Sequence, residues 1–436
     1  MKLTPMMNMA TLARALPVAV LTLAASAAMA QSTVHDQLNA VIEKYRTVDE
    51  TSMTNPAVKS IFAKDGFAME LEAYPVGELA EGFVWKPGMG ASFTGPYSKL
   101  PIKAPFTDYL PLPDGPVLDA NKTYRIGFVF HGFNHSWLVS LADTAAWEAA
   151  RHPNVQIDVI DAQYDDNKMA QVIDTWVTKK YDGIVLWPMR EAPMGPPVDR
   201  AIEAGIPVVS VDRRTSSEKI SSEVTGNFYA NGVQQGMFLN EVLKGQGNLV
   251  LTRKDLGSTA DSIRAGGFLQ VIGNQPGYKI LGSYHVNSDR TLTFKTTADA
   301  MQAFKEVSAV YTAGGEEAMG ALDAIREAKR LNSAPGGKKI VIVADDDSKE
   351  IMREIKAGNI DMVAPYTPLI GDLGVRAVIR HIGFKEGLMK EAPPKLILTP
   401  NLPMITKEKM TIEGVESLTP DEWPYAFGPD TAAGAK

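Results

Sequence analysis

Two runs decide how this chain folds: Val208-Val-Ser-Val-Asp-Arg-Arg214 and Ile340-Val-Ile-Val-Ala-Asp-Asp-Asp347. Each is a short apolar stretch, rich in β-branched residues, that ends abruptly in acid. Such runs fit strands buried on both faces, as in parallel sheets. In open α/β sheets a ligand lies just beyond the carboxyl ends of the strands. Both runs therefore put carboxylates where a ligand would sit.

Around them, from Tyr124 to about Lys338, strands alternate with amphipathic helices. Tyr124–Phe130, Gln156–Ile160, Gly183–Trp187 and Pro207–Val211 read as strands, with helices at Trp137–Arg151, Lys168–Lys180 and Pro197–Ala204 between them. A second series follows. Its strands are Asn248–Thr252, Lys279–His285, Ala309–Thr312 and Lys339–Ala344; its helices are Ala230–Lys244, Asp261–Gly273, Phe294–Phe304 and Glu316–Arg330. Strands alternating with helices imply parallel βαβ units with right-handed crossovers. Two series predict two similar α/β lobes. The late helix Gly371–Met389 and the strand Lys395–Thr399 are placed to return the chain to the first lobe.

The start of the chain differs. Lys2 and Arg14 flank an otherwise uncharged opening, Ala15–Ala25 is apolar, and Ala28-Met-Ala30 is a small-x-small site. This pattern predicts a secretory signal peptide over 1–30, cleaved after Ala30, and hence a mature protein outside the cytoplasm. With Lys2 and Arg14 gone, 42 basic residues face 51 acidic ones, and the net charge falls from −7 to −9. No long basic run survives, which argues against nucleic acid and anionic membranes as partners. The chain has no Cys, so an exported form must rely on burial rather than disulfides.

Residues 31–120 begin with a helix, Val34–Tyr45, and then fill with Pro and Gly, as in Lys86-Pro-Gly-Met-Gly90 and Leu110-Pro-Leu-Pro-Asp-Gly-Pro116. Such punctuation blocks long regular elements. Phe83, Trp85, Phe93, Tyr97, Phe106 and Tyr109 argue that the segment is nonetheless ordered. It reads either as a meander laid over the main domain or as a cap or docking element. The acidic tail after Trp423 reads as frayed.

Among the chemical candidates, Asp212 and Arg213 end the fourth strand. An ionised Asp accepts hydroxyl hydrogen bonds, and Arg presents a rigid fork of donors. Phe133, His135 and Trp137 follow the first strand, where aromatic faces stack on sugar rings. His131 and His135 lie four apart, but Gly132 stands where a zincin has Glu, so no metal is expected. Of Asp345-Asp-Asp347, one is expected to face a ligand and another to cap the helix from Lys349. No dinucleotide fingerprint, P-loop or nucleophile elbow is present, so neither cofactor nor catalysis is expected.

Five ordered segments carry a family resemblance: Phe133-Asn-His-Ser-Trp-Leu-Val-Ser-Leu141, Gly205-Ile-Pro-Val-Val-Ser-Val-Asp-Arg213, Gly257-Ser-Thr-Ala-Asp-Ser-Ile-Arg-Ala-Gly-Gly-Phe268, Ala318-Met-Gly-Ala-Leu322 and Ile342-Val-Ala-Asp-Asp346. Over roughly 124–406 the chain resembles the ribose/galactose-type periplasmic sugar-binding proteins of ABC importers, the type I periplasmic binding protein family. The resemblance implies two Rossmann-like lobes with parallel sheets joined by a three-strand hinge. It implies a first lobe of 121–227 plus 367–395, a second of 228–366 plus 396–425, and a tail of 426–436. It implies a monomer, located in the periplasm, that encloses a sugar or polyol and docks on a membrane permease. It places His135, Trp137, Asp212, Arg213, Arg264 and Asp346 at the ligand. Where the family has Asn-Asp after the strand Ala309–Thr312, this chain has Gly314-Gly315. At the last hinge, where Gln or Asn is common, it has Pro365-Tyr366, and Tyr366 is the ligand-contact candidate there. These departures, and the segment 31–120, open the ligand class to larger, aromatic or non-sugar solutes. A sensory partner of a histidine kinase or chemoreceptor is the alternative reading of the same lobes.

Overall fold

The structure is a computed structural model that describes residues 34–73, 83–112 and 117–430. The expected signal peptide, and 431–436 of the tail, lie outside the described residues.

The N-terminal segment is a folded layer. Helix Val34–Arg46 is followed by Pro56–Lys64 and Phe67–Ala73, then by a hairpin of β1 (Ala91–Thr94) and β2 (Pro101–Ala104). The two helices after Pro56 were not expected from the Pro and Gly content. Pro56 begins a helix instead of breaking one, because the first helical position needs no N–H. Asn55 caps it through Oδ1, while its Nδ2 donates to the carbonyls of Gln275 (2.8 Å) and Tyr278 (2.9 Å) in the second lobe. The later part grips the first lobe. Phe93 stacks on Trp147 with ring centroids 4.4 Å apart, and the buried Arg376 donates to the carbonyls of Thr107 (2.6 Å) and Phe106 (3.3 Å). The layer thus touches both lobes.

The first sheet runs β13-β7-β6-β5-β3-β4, all parallel, from β3 (Tyr124–Phe130), β4 (Val155–Asp161), β5 (Gly183–Trp187), β6 (Val208–Val211), β7 (Ser222–Thr225) and β13 (Leu396–Leu398). The second runs β14-β12-β11-β10-β8-β9, from β8 (Gln246–Arg253), β9 (Gly277–His285), β10 (Ala309–Thr312), β11 (Val341–Asp345), β12 (Met362–Ala364) and an antiparallel edge, β14 (Ile405–Thr406). Central strands β5 and β6 are buried along their whole length, whereas edge strand β4 is largely half-exposed. This is the α/β fold of two parallel-sheet lobes that the sequence predicted.

The chain crosses between lobes three times: after β7, after β12 and after β13. Because β13 pairs with β7 through Leu396↔Glu223 and Leu398↔Thr225, it belongs to the first lobe. The boundary placed at 395/396 therefore moves past Leu398. Strands β7 and β12 were not anticipated, since Ser222-Glu-Val-Thr225 and a three-residue run carry little periodic signal. The tail also differs from expectation: Trp423, Tyr425 and Phe427 are buried, and Lys349 donates its backbone N–H to the Phe427 carbonyl at 2.8 Å. Aromatic side chains give this segment enough apolar surface to dock rather than fray. Among the described residues, no helix is long and apolar enough to cross a membrane.

Candidate functional site

The carboxyl ends of both sheets face each other across a cleft lined by both lobes. The first lobe contributes His135, Trp137, Trp187, Asp212 and Arg213; the second contributes Phe228, Lys254, Arg264, Ser288 and Asp346; Tyr366 comes from the middle crossover. Seven of the eight residues singled out by sequence line this one space. Phe133 does not. Its ring packs on Phe130 at 4.7 Å between centroids, because the turn after β3 directs it back onto the core.

Asp212 and Asp346 both sit just past a strand with left-handed backbone, φ 72° and 65°. Asp tolerates that region better than most side chains, and a strained residue held by its surroundings is a common feature of ligand clamps. Asp212 Oδ2 accepts from Trp187 Nε1 at 2.6 Å, and the Tyr366 hydroxyl donates to the same carboxyl group. Burial pushes its carboxyl above the ordinary range, against the pull of Arg213 and of hydrogen bonds from Tyr366 and Trp187. Asp346 Oδ2 accepts from the Gly315 amide at 3.0 Å.

The cations are anchored from behind. Arg264, 1 % exposed, pairs through Nε with Asp345 at 2.6 Å and lies over the rings of Phe228 (5.1 Å) and Tyr366 (5.3 Å). Arg213 lies over Trp187 at 4.8 Å and reaches across the cleft to Asp255 at 3.3 Å. Thr259 of the second lobe also donates to Glu191 of the first at 2.5 Å, so the rims are in contact and the cleft is closed. Trp137 Nε1 donates to the Tyr366 carbonyl at 3.2 Å, and Tyr366 stacks on Phe228 at 4.5 Å. These rings give the cavity flat apolar walls. Burial, and then the neighbouring Lys254, pull the His135 imidazole down to about 4, so it is neutral near pH 7.

The three acids after β11 diverge. Asp345 holds Arg264, Asp346 faces the cavity, and Asp347 accepts from Trp423 Nε1 at 2.7 Å. The helix from Lys349 is capped by Ser348, whose hydroxyl accepts from Ile351 N, and not by an Asp as expected. The tertiary contact with Trp423 draws Asp347 away from the helix end. Among the described residues no cluster of acids and histidines suits a metal ion. Sequence reasoning missed Trp187, Phe228 and Lys254. Trp187 and Lys254 carry the same strand-end signal as Asp212; Phe228 starts a helix and carries none.

Fold and cleft together define a two-lobed α/β protein that encloses a ligand between strand ends. The chain belongs to the periplasmic binding protein domain family, whose model matches residues 126–386. It is 26 % identical over 279 residues to the ribose import binding protein of Bacillus subtilis, covering 63 % of this chain and 87 % of that protein. It is similar to the periplasmic binding protein component of the arabinose ABC transporter from Shewanella sp. ANA-3, solved with L-arabinofuranose: TM-score 0.59, 25 % identity, covering 65 % and 92 %. The fructose-binding periplasmic domain of a hybrid two-component system shares the fold at TM-score 0.59 and 24 % identity, covering 65 % and 91 %.

Proposed function

We propose that this protein is an exported, monomeric solute receptor that binds a carbohydrate or polyol between its lobes and delivers it to the membrane permease of an ABC importer. The observation that carries this reading is the cleft itself, where Asp212 and Asp346, Arg213, Arg264 and Lys254, and the rings of Trp137, Phe228 and Tyr366 line one space. Buried charged groups need hydrogen-bond partners, and ligand hydroxyls both donate and accept. Asp212, Arg213, Arg264 and Asp346 then hold hydroxyl and ring oxygens, while Trp137 and Tyr366 cover the apolar faces of the ring. His135 offers a neutral donor or acceptor. A micromolar Kd corresponds to about −8 kcal/mol, which a few charged hydrogen bonds and ring burial reach. The relatives that act in ribose and arabinose import support this class of solute. No metal, cofactor or catalytic step enters the scheme.

A sensory role is the second reading, favoured by the fold shared with a two-component periplasmic domain and by a layer at 34–73 and 83–112 that grips both lobes. A thermal-shift screen of the exported protein against neutral monosaccharides, polyols and sugar acids tests the receptor reading. At least one neutral compound is expected to raise the Tm, and calorimetry is expected to give one site per chain. Catalytic turnover of a compound, or no shift with any, would overturn it.

A further inference from the structure

We propose that Lys254 is a specificity-determining residue of this cleft: its ammonium takes the place of a side chain at position 314 and offers a hydrogen-bond donor to an acceptor oxygen of the solute. The proposal rests on the receptor reading above and names one contact within it.

The argument begins at Gly314, which follows β10 at the rim of the second sheet. Residues at the carboxyl ends of parallel strands are placed to meet a ligand, yet glycine has nothing to offer. Its φ of −177° is extended backbone that any residue adopts, so conformation does not require glycine here. Space does. A Cβ at 314 would lie 2.1 Å from Lys254 Nζ and 2.4 Å from Glu317 Oε2. Lys254 comes from the end of β8, the neighbouring strand, and its side chain runs through the volume that a side chain at 314 would fill.

The ammonium is held, but not saturated. Glu317, fully buried, approaches Nζ at 3.2 Å through both carboxylate oxygens, and Asp346 Oδ2 stands 3.8 Å away, too far for a hydrogen bond. A lysine has three donors, and Glu317 can occupy two at most. At least one N–H is therefore left in the wall of the cavity, where Lys254 stands among His135, Ser288 and Asp346. The pairing with Glu317 keeps the amine charged in spite of its burial. A point charge accepts a ring oxygen, a hydroxyl oxygen or a carbonyl with little angular demand. Glu317 and Gly314 are positioning residues: one orients the ammonium and the other leaves it room. The site at this corner is thus a donor only, where an acid at 314 would have been an acceptor and an amide both.

The test uses the mature full-length chain and D-ribose, L-arabinose, D-fructose, xylitol and myo-inositol as probes. Calorimetry ranks their affinities for the wild type, for Lys254→Ala/Glu317→Gln, and for the same pair with Gly314→Asn added. Gln replaces Glu317 so that no lone carboxylate is left buried. The double variant is expected to lose about tenfold or more for the best probe. Adding Asn at 314 is expected to occupy the space that Lys254 leaves, with the flexible end of the side chain at 317 giving way, and to change the rank order of the probes. In wild-type background Gly314→Ala, which displaces the ammonium without altering charge, is expected to weaken binding similarly with the fold intact by circular dichroism. Undiminished binding by the double variant and by Gly314→Ala overturns the role of Lys254 and leaves the receptor reading standing. Failure of the wild type to bind any probe or any compound of the wider screen overturns both.

Discussion

The two rims of the cleft solve one problem in different ways. Each ends a buried strand with an aspartate forced into left-handed backbone, Asp212 in the first lobe and Asp346 in the second. In the first lobe Asp212 accepts from Trp187 Nε1 and from Tyr366, and the neighbouring Arg213 reaches across the cleft to Asp255. In the second, the cations beside Asp346 are tied to acids that never reach the cavity, Arg264 to Asp345 and Lys254 to Glu317. The first rim is built to receive donors, and the second is a pre-set frame that presents them. A cavity between such rims needs little rearrangement of its second wall on closing, which reduces the ordering cost of binding.

This contrast can be broken most sharply at Arg264. Arg264→Met leaves Asp345 buried without its ion partner, and should cost about 3–5 kcal/mol of stability, read by urea unfolding. A loss below about 1 kcal/mol would mean that the second rim is not a frame. Asp212→Ala should do the reverse. Binding of the best ligand is expected to weaken by about 2 kcal/mol or more, while stability falls less than at Arg264, by about 1–3 kcal/mol from leaving Trp187 Nε1 without its acceptor. Wild-type affinity in that variant would remove the first rim from the site.

A pH titration sharpens the picture of the second rim. Burial pushes Asp347 up to about 7 from an ordinary 3.8, with only the Trp423 hydrogen bond and a backbone contact opposing it. The folded protein then holds this proton more tightly than the unfolded chain. The contribution of this group to stability is fullest below about pH 4 and is lost as pH rises towards 7, by up to about 1.4 kcal/mol per pH unit. Asp347→Asn should flatten that part of the profile, measured as Tm against pH; an unchanged slope refutes the assignment. The smallest effect is expected at Phe133. Because its ring lies on Phe130 and outside the cavity, Phe133→Leu should leave ligand affinity within about 0.5 kcal/mol.

The N-terminal layer shows where reading by pattern falls short. Its Pro and Gly content hides two helices, since Pro56 at a helix start and Pro in a helix interior look alike in sequence. Its anchors, Asn55 on the second lobe and Arg376 on the carbonyls of residues 106 and 107, join positions about 220 and 270 residues apart. No local signal encodes such pairs. The tail behaves alike: its aromatic residues dock on Asp347 and Trp85 from a distance.

The sequence by itself determined the two α/β series, the acid-ended strands and seven residues now gathered at one cavity. The series and the acid ends follow from burial period and strand polarity, which are local properties of a few successive residues; Arg264 and Tyr366 were placed by the family resemblance alone. Only the tertiary structure decided which of three adjacent aspartates faces the cleft, that Phe133 turns inward, and that Lys254 fills the space beside Gly314. Each depends on what a distant segment brings alongside, and contact across the fold has no period in the chain.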